Sequence, residues 1–423
     1  MTSQDKNLEQ GNVMQHYTLC IGKVQFLKGV LIIFSFIYLS CPQISTAKKL
    51  PLIEQCRPIL HNSCILQPVI QLIQQSNAML MGNKSCQDNL ANQWDIHAQT
   101  EIDASLLLLG LEILYASQYW PYPLEDTISS QVKSLLNSSD LGKIPSCTTQ
   151  ANLQTSTIYL TNYWDQLQQL VLKDKPFTSE FYNKLSPFEQ VIFMAQINRQ
   201  EGLSSTKNSL ASPSYNQLRA SEKIQFLLYG YQKSLWLSQP AQQATLENAL
   251  QQLSKQLSYD QIIDLRFKMI QLQLGWGSLI SATTNNKQLL LSNNTSLLNI
   301  QKKQLLNLWI LAFESLHNSQ TLTEPKVSLE HLPEDYLIFI NVLNELSIIE
   351  QVKIHRLIAT HFFIEHLESS QLHRKLLSFH FSKAYSLWLE AADSKQKIQE
   401  GLSLVFLDLY LKSVMQHSLM DKL

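Results

Sequence analysis

Glycine is so scarce in this chain that folds built on tight backbone turns are excluded. Only 11 of the 423 residues are glycine, whereas glycine makes up about 7% of an average protein. Phosphate-binding loops, β-bulges and left-handed turns use glycine because it has no Cβ atom. Leucine (73 residues) and glutamine (44 residues) supply more than a quarter of the chain, and both favour helices. The composition therefore argues against a nucleotide-binding α/β fold and against a β-sandwich, and it predicts an all-α protein.

The spacing of apolar residues predicts the same class. From about residue 65 onward, apolar side chains recur every three or four positions, which is the period of one helix face. The clearest stripe consists of Leu305, Leu308, Trp309, Ala312, Phe313 and Leu316. The segment Ser186-Pro187-Phe188-Glu189 has the form of a capping box with proline at the first helical position. We predict an irregular array of antiparallel helical hairpins, similar to an α-solenoid, with a compact multi-helix domain as the alternative.

Three stretches rich in Ser, Asn and Thr are candidate linkers: residues 202–213, 281–295 and 318–332. The first lies near the middle of the chain, so we place a domain boundary there. The predicted organisation is a targeting segment at residues 1–47, a cysteine-containing helical domain at 48–205 and a second helical domain at 214–423.

The N-terminal segment has the pattern of an export signal. Residues 30–39 read VLIIFSFIYL, with Lys23 and Lys28 before them and the small residues Ser45 and Ala47 after them. This apolar core is about ten residues long, whereas a membrane-spanning helix needs roughly 20. We therefore predict a secretory signal cleaved after Ala47. A retained membrane anchor is one alternative, and a lipoprotein is another, because the residues before Cys41 weakly resemble a bacterial lipobox.

Cysteine usage is consistent with export. Cleavage after residue 47 would leave four cysteines, Cys56, Cys64, Cys86 and Cys147, which permit three disulfide pairings. We prefer Cys56–Cys64, which would close a short turn, together with Cys86–Cys147, which would tie two helical segments. Four buried free thiols are the alternative. None of the spacings matches a zinc site.

Histidine is concentrated near the C-terminus, where five of the 11 histidines fall between His355 and His380. Imidazole and carboxylate groups three, four or seven positions apart share a helix face, and both are zinc ligands. The candidate metal ligands are His361, Glu365, His366, His373 and His380. The alternative is a histidine-rich seam between helices, in which each ring bonds to the backbone or to a carboxylate. No H-E-x-x-H motif is present.

An aromatic cluster next to two prolines is the other candidate site. It comprises Tyr115, Tyr119, Trp120 and Tyr122. Such a cluster is typical either of a groove that binds a glycan or peptide, or of a packed corner between helices.

The function predicted from these features is binding rather than catalysis. The net charge of −1 gives no field that would attract nucleic acid, and the motifs of nucleotide-binding loops and serine hydrolases are absent. We expect an exported, periplasmic or membrane-tethered scaffold that binds protein partners, within an envelope or secretion assembly, and that contacts the membrane if residues 1–47 are retained. The alternatives are a zinc-dependent envelope hydrolase that uses the histidines from His355 to His380, and a secreted factor that acts on a host cell.

Overall fold

The structure is a computed structural model that describes ten ranges of the chain. These are residues 65–91, 98–118, 124–138, 147–171, 176–197, 203–236, 239–290, 297–318, 332–366 and 371–420. The predicted targeting segment at 1–47, its alternatives, and the cysteines Cys56 and Cys64 lie outside them. Residues 52–423 belong to one compact unit.

The described ranges contain 18 α-helices, one 3-10 helix (Pro176–Thr178) and no strand, which confirms the all-α class. The first nine α-helices are α1 (Leu66–Leu80), α2 (Lys84–Ala91), α3 (Ala98–Gln118), α4 (Leu124–Leu136), α5 (Gln150–Val171), α6 (Glu180–Lys184), α7 (Pro187–Ile197), α8 (Leu203–Ala211) and α9 (Pro213–Gln217). The other nine are α10 (Ala220–Trp236), α11 (Pro240–Ser254), α12 (Tyr259–Gly275), α13 (Leu279–Leu290), α14 (Leu297–Asn318), α15 (Glu334–Leu343), α16 (Ile348–His366), α17 (Gln371–Glu390) and α18 (Lys395–Met420).

The predicted capping box starts α7. The backbone N–H of Glu189 donates to Ser186 Oγ at 3.3 Å, and the backbone N–H of Ser186 donates to the Glu189 carboxylate at 2.9 Å. These two bonds satisfy amide groups that have no partner within the helix itself. The capping box is therefore confirmed.

One hydrophobic cluster extends along the chain from Ile65 to Leu409. Its largest fully buried side chains include Trp164, Trp309 and Trp388. Consecutive helices pack in pairs, most extensively α16 with α17, followed by α14 with α15 and α10 with α11. Both predicted domains contribute side chains to this cluster, and the boundary between 48–205 and 214–423 stays a prediction.

The C-terminal helix α18 packs against α1 and α3, the first long helices of the described chain. Gly401 makes the close approach possible, because a Cβ atom there would lie 2.8 Å from both Val69 Cγ2 and Trp388 Cζ2. The Lys395 ammonium also forms an ion pair with Glu101 on α3. A contact between the last helix and the first helices is typical of a compact multi-helix domain, which is the alternative to the predicted solenoid-like array. In a solenoid, repeats contact only their neighbours.

The helices α12 and α16 cross closely at Gly275, where a Cβ atom would lie 2.6 Å from Leu357 Cδ2. Two residues later Gly277 has a φ of 77°, a left-handed conformation that favours glycine. The chain therefore turns sharply after α12 and enters α13 at Leu279.

The prediction of a linker at residues 202–213 is wrong for most of that segment, because it forms α8 and the start of α9. Its hydroxyl groups bond to the local backbone: Ser209 Oγ donates to the carbonyl of Ser205 at 2.9 Å, and Ser212 Oγ caps α9 by accepting from Tyr215 N. The buried Thr206 accepts a hydrogen bond from Gln242 Nε2 on α11 at 2.7 Å. Small hydroxyl residues thus pack between helices here instead of forming a loop.

The second predicted linker, residues 281–295, is also wrong over its first ten residues, which continue α13. Ala282 and Asn286 are buried, and Thr284 Oγ1 donates to the carbonyl of Ile280 at 3.0 Å. Asn285 Nδ2 donates to Gln273 on α12 at 3.0 Å. Tertiary contacts therefore override the low helix propensity of Asn and Thr. The third candidate, 318–332, falls almost wholly outside the described residues.

Within the ranges that the structure describes, no helix combines the length and the apolar character needed to cross a membrane.

Candidate functional site

The predicted histidine cluster lies where α15, α16 and α17 meet, on the most extensively packed helix pair of the fold. Helix α16 carries His355 and His361, and α17 carries His373 and His380. All four side chains are at least nine-tenths buried. The backbone of Glu365 and His366 ends α16, but the side chains of these two residues lie outside the described part.

Three of the buried side chains form a continuous hydrogen-bonded chain, which we call the Tyr336–His380–His355 chain. The Tyr336 hydroxyl lies 2.5 Å from His380 Nε2. The Nδ1 atoms of His380 and His355 are 2.7 Å apart. At the far end, His355 Nε2 is buried and has no hydrogen-bond partner among the described residues.

The charge state of this chain follows from its burial. Burial, reinforced by the positive charge of Lys383, lowers the pKa of His355 to about 4. Burial and the neighbouring His355 hold the pKa of His380 well below its ordinary value, and burial raises the pKa of the Tyr336 hydroxyl. Both imidazoles are therefore neutral at pH 7, and each presents one donor and one acceptor nitrogen.

Neutral rings allow only two arrangements of protons along the chain. In one, Tyr336 donates to His380 Nε2, and His380 Nδ1 donates to His355 Nδ1. In the other, His355 Nδ1 donates to His380 Nδ1, and His380 Nε2 donates to the Tyr336 oxygen. If both rings were protonated, two N–H groups would face each other at the Nδ1 atoms, so the chain is stable only while a ring is neutral.

His361 is fixed by different partners. Its Nδ1 lies 3.0 Å from the carbonyl oxygen of Leu274, and because a carbonyl only accepts, this nitrogen carries the hydrogen. The ring centroid is 4.3 Å from that of Phe313. His361 is thereby attached to the C-terminal end of α12 and not to the Tyr336–His380–His355 chain.

His373 packs in yet another place, with its ring stacked 5.7 Å from that of Phe362 at an angle of 25°. Phe362 also stacks on His380 at 6.4 Å. The described imidazoles are therefore spread along a helix interface, where His373 and His380 both lie against Phe362 and His361 lies against Phe313.

The predicted metal site can be compared with these positions only in part. Among the described residues, no three groups from His, Cys, Asp and Glu lie together so that they could hold one metal ion. The side chains of Glu365 and His366 are not among those residues. Zinc binding by the full set therefore stays a prediction, and the predicted aromatic site at Tyr115, Tyr119, Trp120 and Tyr122 likewise falls outside the described side chains.

Cys86 and Cys147 are joined by a disulfide, with 5.2 Å between their Cα atoms and a sequence separation of 61. The bond ties α2 to the residues just before α5. Cys86 is fully buried, and a Cβ atom at Gly82 would lie only 2.7 Å from Cys86 Cβ. This is the longer of the two pairings preferred from the sequence; the other lies outside the described residues.

Sequence reasoning missed a second group of buried polar side chains, on α3, α5 and α7. Asp103 accepts hydrogen bonds from Tyr159 at 2.7 Å and from Gln99 at 2.9 Å. Glu189 accepts one from Tyr163 at 2.6 Å. Burial, with a contribution from the Glu189 charge, raises the pKa of Asp103 to about 7. The available signal was an acidic residue on an otherwise apolar helix face, since Asp103 is followed by Leu106, Leu107 and Leu109.

A buried ion pair joins α3 to α10 and was also missed. Lys233 pairs with the Glu112 carboxylate, which also accepts from the Tyr229 hydroxyl. The Lys233 ammonium lies 5.4 Å from the centroid of the Tyr229 ring and 5.8 Å from that of Phe406. Because each charge is paired with its opposite inside the core, we interpret this group as a structural link.

No family model, curated protein or solved structure matches this chain. The site must therefore be interpreted from its own chemistry.

Proposed function

We propose that this protein is an exported, non-catalytic helical scaffold or binding protein. The Cys86–Cys147 disulfide carries the proposal. Disulfides form and persist in oxidising compartments and are rare in the cytosol. A bond that links residues 61 positions apart strongly restricts the unfolded chain, which suits a protein that has to stay folded outside the cytosol.

The contacts of the histidines support a structural role for them. His355, His380 and Tyr336 bond to one another, His361 donates to the Leu274 carbonyl, and His373 stacks on an aromatic ring. In this proposal the imidazoles specify how α15, α16 and α17 pack. Binding then takes place on the outer surface of the helices.

We place the protein in the periplasm, on a membrane through residues 1–47, or outside the cell. The segment 30–39 and its lysine flanks support export. The expected partner is another protein, within an envelope or secretion assembly. A nearly balanced charge of −1 favours recognition by short-range contacts over long-range electrostatic attraction.

Export is tested with a reporter enzyme that is active only after translocation. We would fuse it to the C-terminus of the full chain and to a chain starting at residue 48, and measure activity in a bacterial host. We expect activity from the first fusion and none from the second. Equal activity from both fusions would overturn the assignment of residues 1–47 as an export signal.

Binding is tested at large apolar side chains that reach the surface. Ile280 on α13 is 85% exposed, and Leu311 on α14 and Ile338 on α15 are each more than 40% exposed. A photo-crosslinker at each position would report a partner in the native host, with the exposed Lys207 on α8 as the control position. The captured partner, once purified, should bind the wild-type protein. It should bind more weakly to a variant in which the apolar residue at the crosslinking position is replaced by Asp.

The alternative of a metal-dependent enzyme has its own test. Stoichiometric zinc together with measurable hydrolysis, in protein purified without chelators or a tag, would favour that alternative.

A further inference from the structure

Four cations and two carboxylates meet where α12, α14, α16 and α18 come together. Asp264 on α12 pairs with Lys268 and, at 2.8 Å, with Lys302 on α14. Arg356 on α16 donates through Nε to Glu400 on α18 at 2.7 Å. Both partners of that second pair are largely buried, with side-chain exposures of 6% and 14%.

The fourth cation, Lys353 on α16, belongs to neither ion pair, although charged groups from both pairs act on it. It precedes Arg356 by three residues, so the two side chains are neighbours on one face of α16. Its side chain is half-buried. Within the described part of the chain its ammonium makes no hydrogen bond and no ion pair.

The surroundings of Lys353 disfavour its positive charge. Burial lowers the pKa of Lys353 to about 8. The carboxylates of Glu400 and Asp264 oppose this shift, whereas the positive charges of Lys268 and Arg356 reinforce it. The ammonium is thus partly removed from water without a protein acceptor in return. A group in this situation is stabilised by any small anion that reaches it.

The charges at this junction do not balance. Lys268, Lys302, Lys353 and Arg356 contribute four positive charges, and Asp264 and Glu400 contribute two negative ones, so the junction carries a net charge of +2. The chain as a whole carries −1. Arg356 uses Nε for Glu400, and no further hydrogen bond of its guanidinium is found among the described residues. Its terminal nitrogens therefore remain available as donors, on the face of α16 that also carries Lys353.

We propose that Lys353 and Arg356 form a binding site for a small dianionic oxyanion of the phosphate or sulfate type. One oxyanion would accept hydrogen bonds from the Lys353 ammonium and from the terminal nitrogens of Arg356, in the way that Arg and Lys bind phosphate groups. The two negative charges of the oxyanion would neutralise the excess positive charge at the junction. We assign the ligand as a free anion and not as a lipid headgroup, because the half-buried Lys353 is easier for a small group to reach. This inference is independent of the proposed export and scaffold role.

The test is a calorimetric titration of the full chain with sulfate at pH 7, with ionic strength held constant by sodium chloride. We expect Lys353→Met to weaken sulfate affinity about tenfold or more, the usual effect of losing a hydrogen bond to a charged group. Lys353→Arg, which keeps the charge, should retain most of the affinity. Lys207→Met on α8 removes an exposed lysine elsewhere and should leave the affinity unchanged.

A second readout separates ligand binding from a purely structural role of the lysine. Sulfate keeps its charge between pH 7 and pH 9, whereas Lys353 loses most of its proton over that interval. Sulfate affinity should therefore fall about tenfold for the wild type and should change much less for Lys353→Met. Equal affinities of the wild type and the Met variant at pH 7, or parallel pH profiles, would overturn the proposal.

Vesicles identify the source of the anion. The wild type is mixed with neutral vesicles and with vesicles containing an anionic phospholipid, and bound protein is measured by flotation. We expect no difference between the two lipid mixtures. A different result would be that the wild type binds the anionic vesicles, that sulfate displaces it, and that Lys353→Met does not bind them. That result would overturn the assignment to a free anion and would assign the site to a phospholipid headgroup. Circular dichroism without sulfate confirms that each variant is folded.

Discussion

Acid should destabilise this protein through the Tyr336–His380–His355 chain, and a single substitution should remove much of the effect. The perturbation is a change from pH 6.5 to pH 4 in the wild type and in His355→Gln. An unfolded histidine titrates near 6.5, whereas burial holds the pKa of His355 at about 4 in the folded protein. Because the folded pKa is depressed, the folded state resists protonation and loses stability as pH falls below 6.5.

The magnitude follows from the difference of about 2.5 pKa units. At about 1.4 kcal/mol per unit, and allowing for half-protonation of the folded state at pH 4, His355 alone contributes a loss of about 3 kcal/mol. Protonation would also leave an N–H at the buried Nε2 atom, which has no partner among the described residues. His380 titrates in the same direction, so the two histidines together should contribute a larger loss than His355 alone. Asp103, whose pKa is raised, acts in the opposite direction in the wild type and in His355→Gln alike, so the difference between the two proteins isolates the histidine contribution.

The assay is urea denaturation followed by circular dichroism at pH 6.5, 5.5, 4.5 and 4. In His355→Gln the loss of unfolding free energy over this range should be smaller by about 3 kcal/mol than in the wild type. His317→Gln removes an exposed histidine on α14 and should leave the wild-type loss intact. Parallel pH profiles for the wild type and His355→Gln would refute the account of a neutral, buried imidazole pair.

Three further predictions concern other buried contacts. Asp103→Asn should remove a contribution that lowers stability by about 3 kcal/mol as pH rises from 4 to 7, because the pKa of Asp103 is raised to about 7 in the folded protein. Relative to the wild type, the variant should therefore gain about 3 kcal/mol more unfolding free energy between pH 4 and pH 7, as measured by urea denaturation at both pH values. Gly401→Ala should destabilise by about 1–3 kcal/mol, because its Cβ would lie 2.8 Å from Trp388 and Val69. The control Gly230→Ala should be neutral or slightly stabilising, since its Cβ meets no atom closer than 3.4 Å. Lys233→Met should cost about 3–5 kcal/mol by leaving the charge of Glu112 buried without its cation, and adding Glu112→Gln should recover part of that loss in thermal unfolding.

The helical elements could be predicted because the sequence repeats its apolar side chains at the helix period. On α14, Trp309 and Phe313 are fully buried, as the stripe beginning at Leu305 predicts. The start of α7 could be predicted for a different reason: a capping box requires only residues three positions apart. Local patterns of these kinds do not depend on the rest of the fold.

Helices α8 and α13 could not be predicted in the same way. Their Ser, Thr and Asn side chains are typical of loops because they compete with the backbone for hydrogen bonds. In the folded protein those groups find partners on neighbouring helices, as Thr206 does with Gln242 and Asn285 with Gln273. The partners lie 36 and 12 residues away, so the compensation appears only once the chain is folded.

The residues of the candidate site could be predicted from the sequence, but the distances and hydrogen bonds between them could not. The density of histidine on α16 and α17 is visible in the sequence. The pairing of His355 with His380, 25 residues apart, and of His380 with Tyr336, 44 residues apart, depends on how the helices are aligned. The raised pKa of Asp103 likewise requires the contact between α3 and α5 that buries its carboxylate.

If this chain functions folded in an oxidising compartment, Cys86 and Cys147 should be joined by a disulfide in its native source. Cells of the native source are quenched in acid, free thiols are alkylated, and the protein is digested without reduction and examined by mass spectrometry. We expect a peptide that carries Cys86 cross-linked to one that carries Cys147, and we expect the two peptides to separate after reduction. Recovery of both cysteines alkylated without prior reduction would show that the protein is kept reduced in the cell and that it does not function in an oxidising compartment.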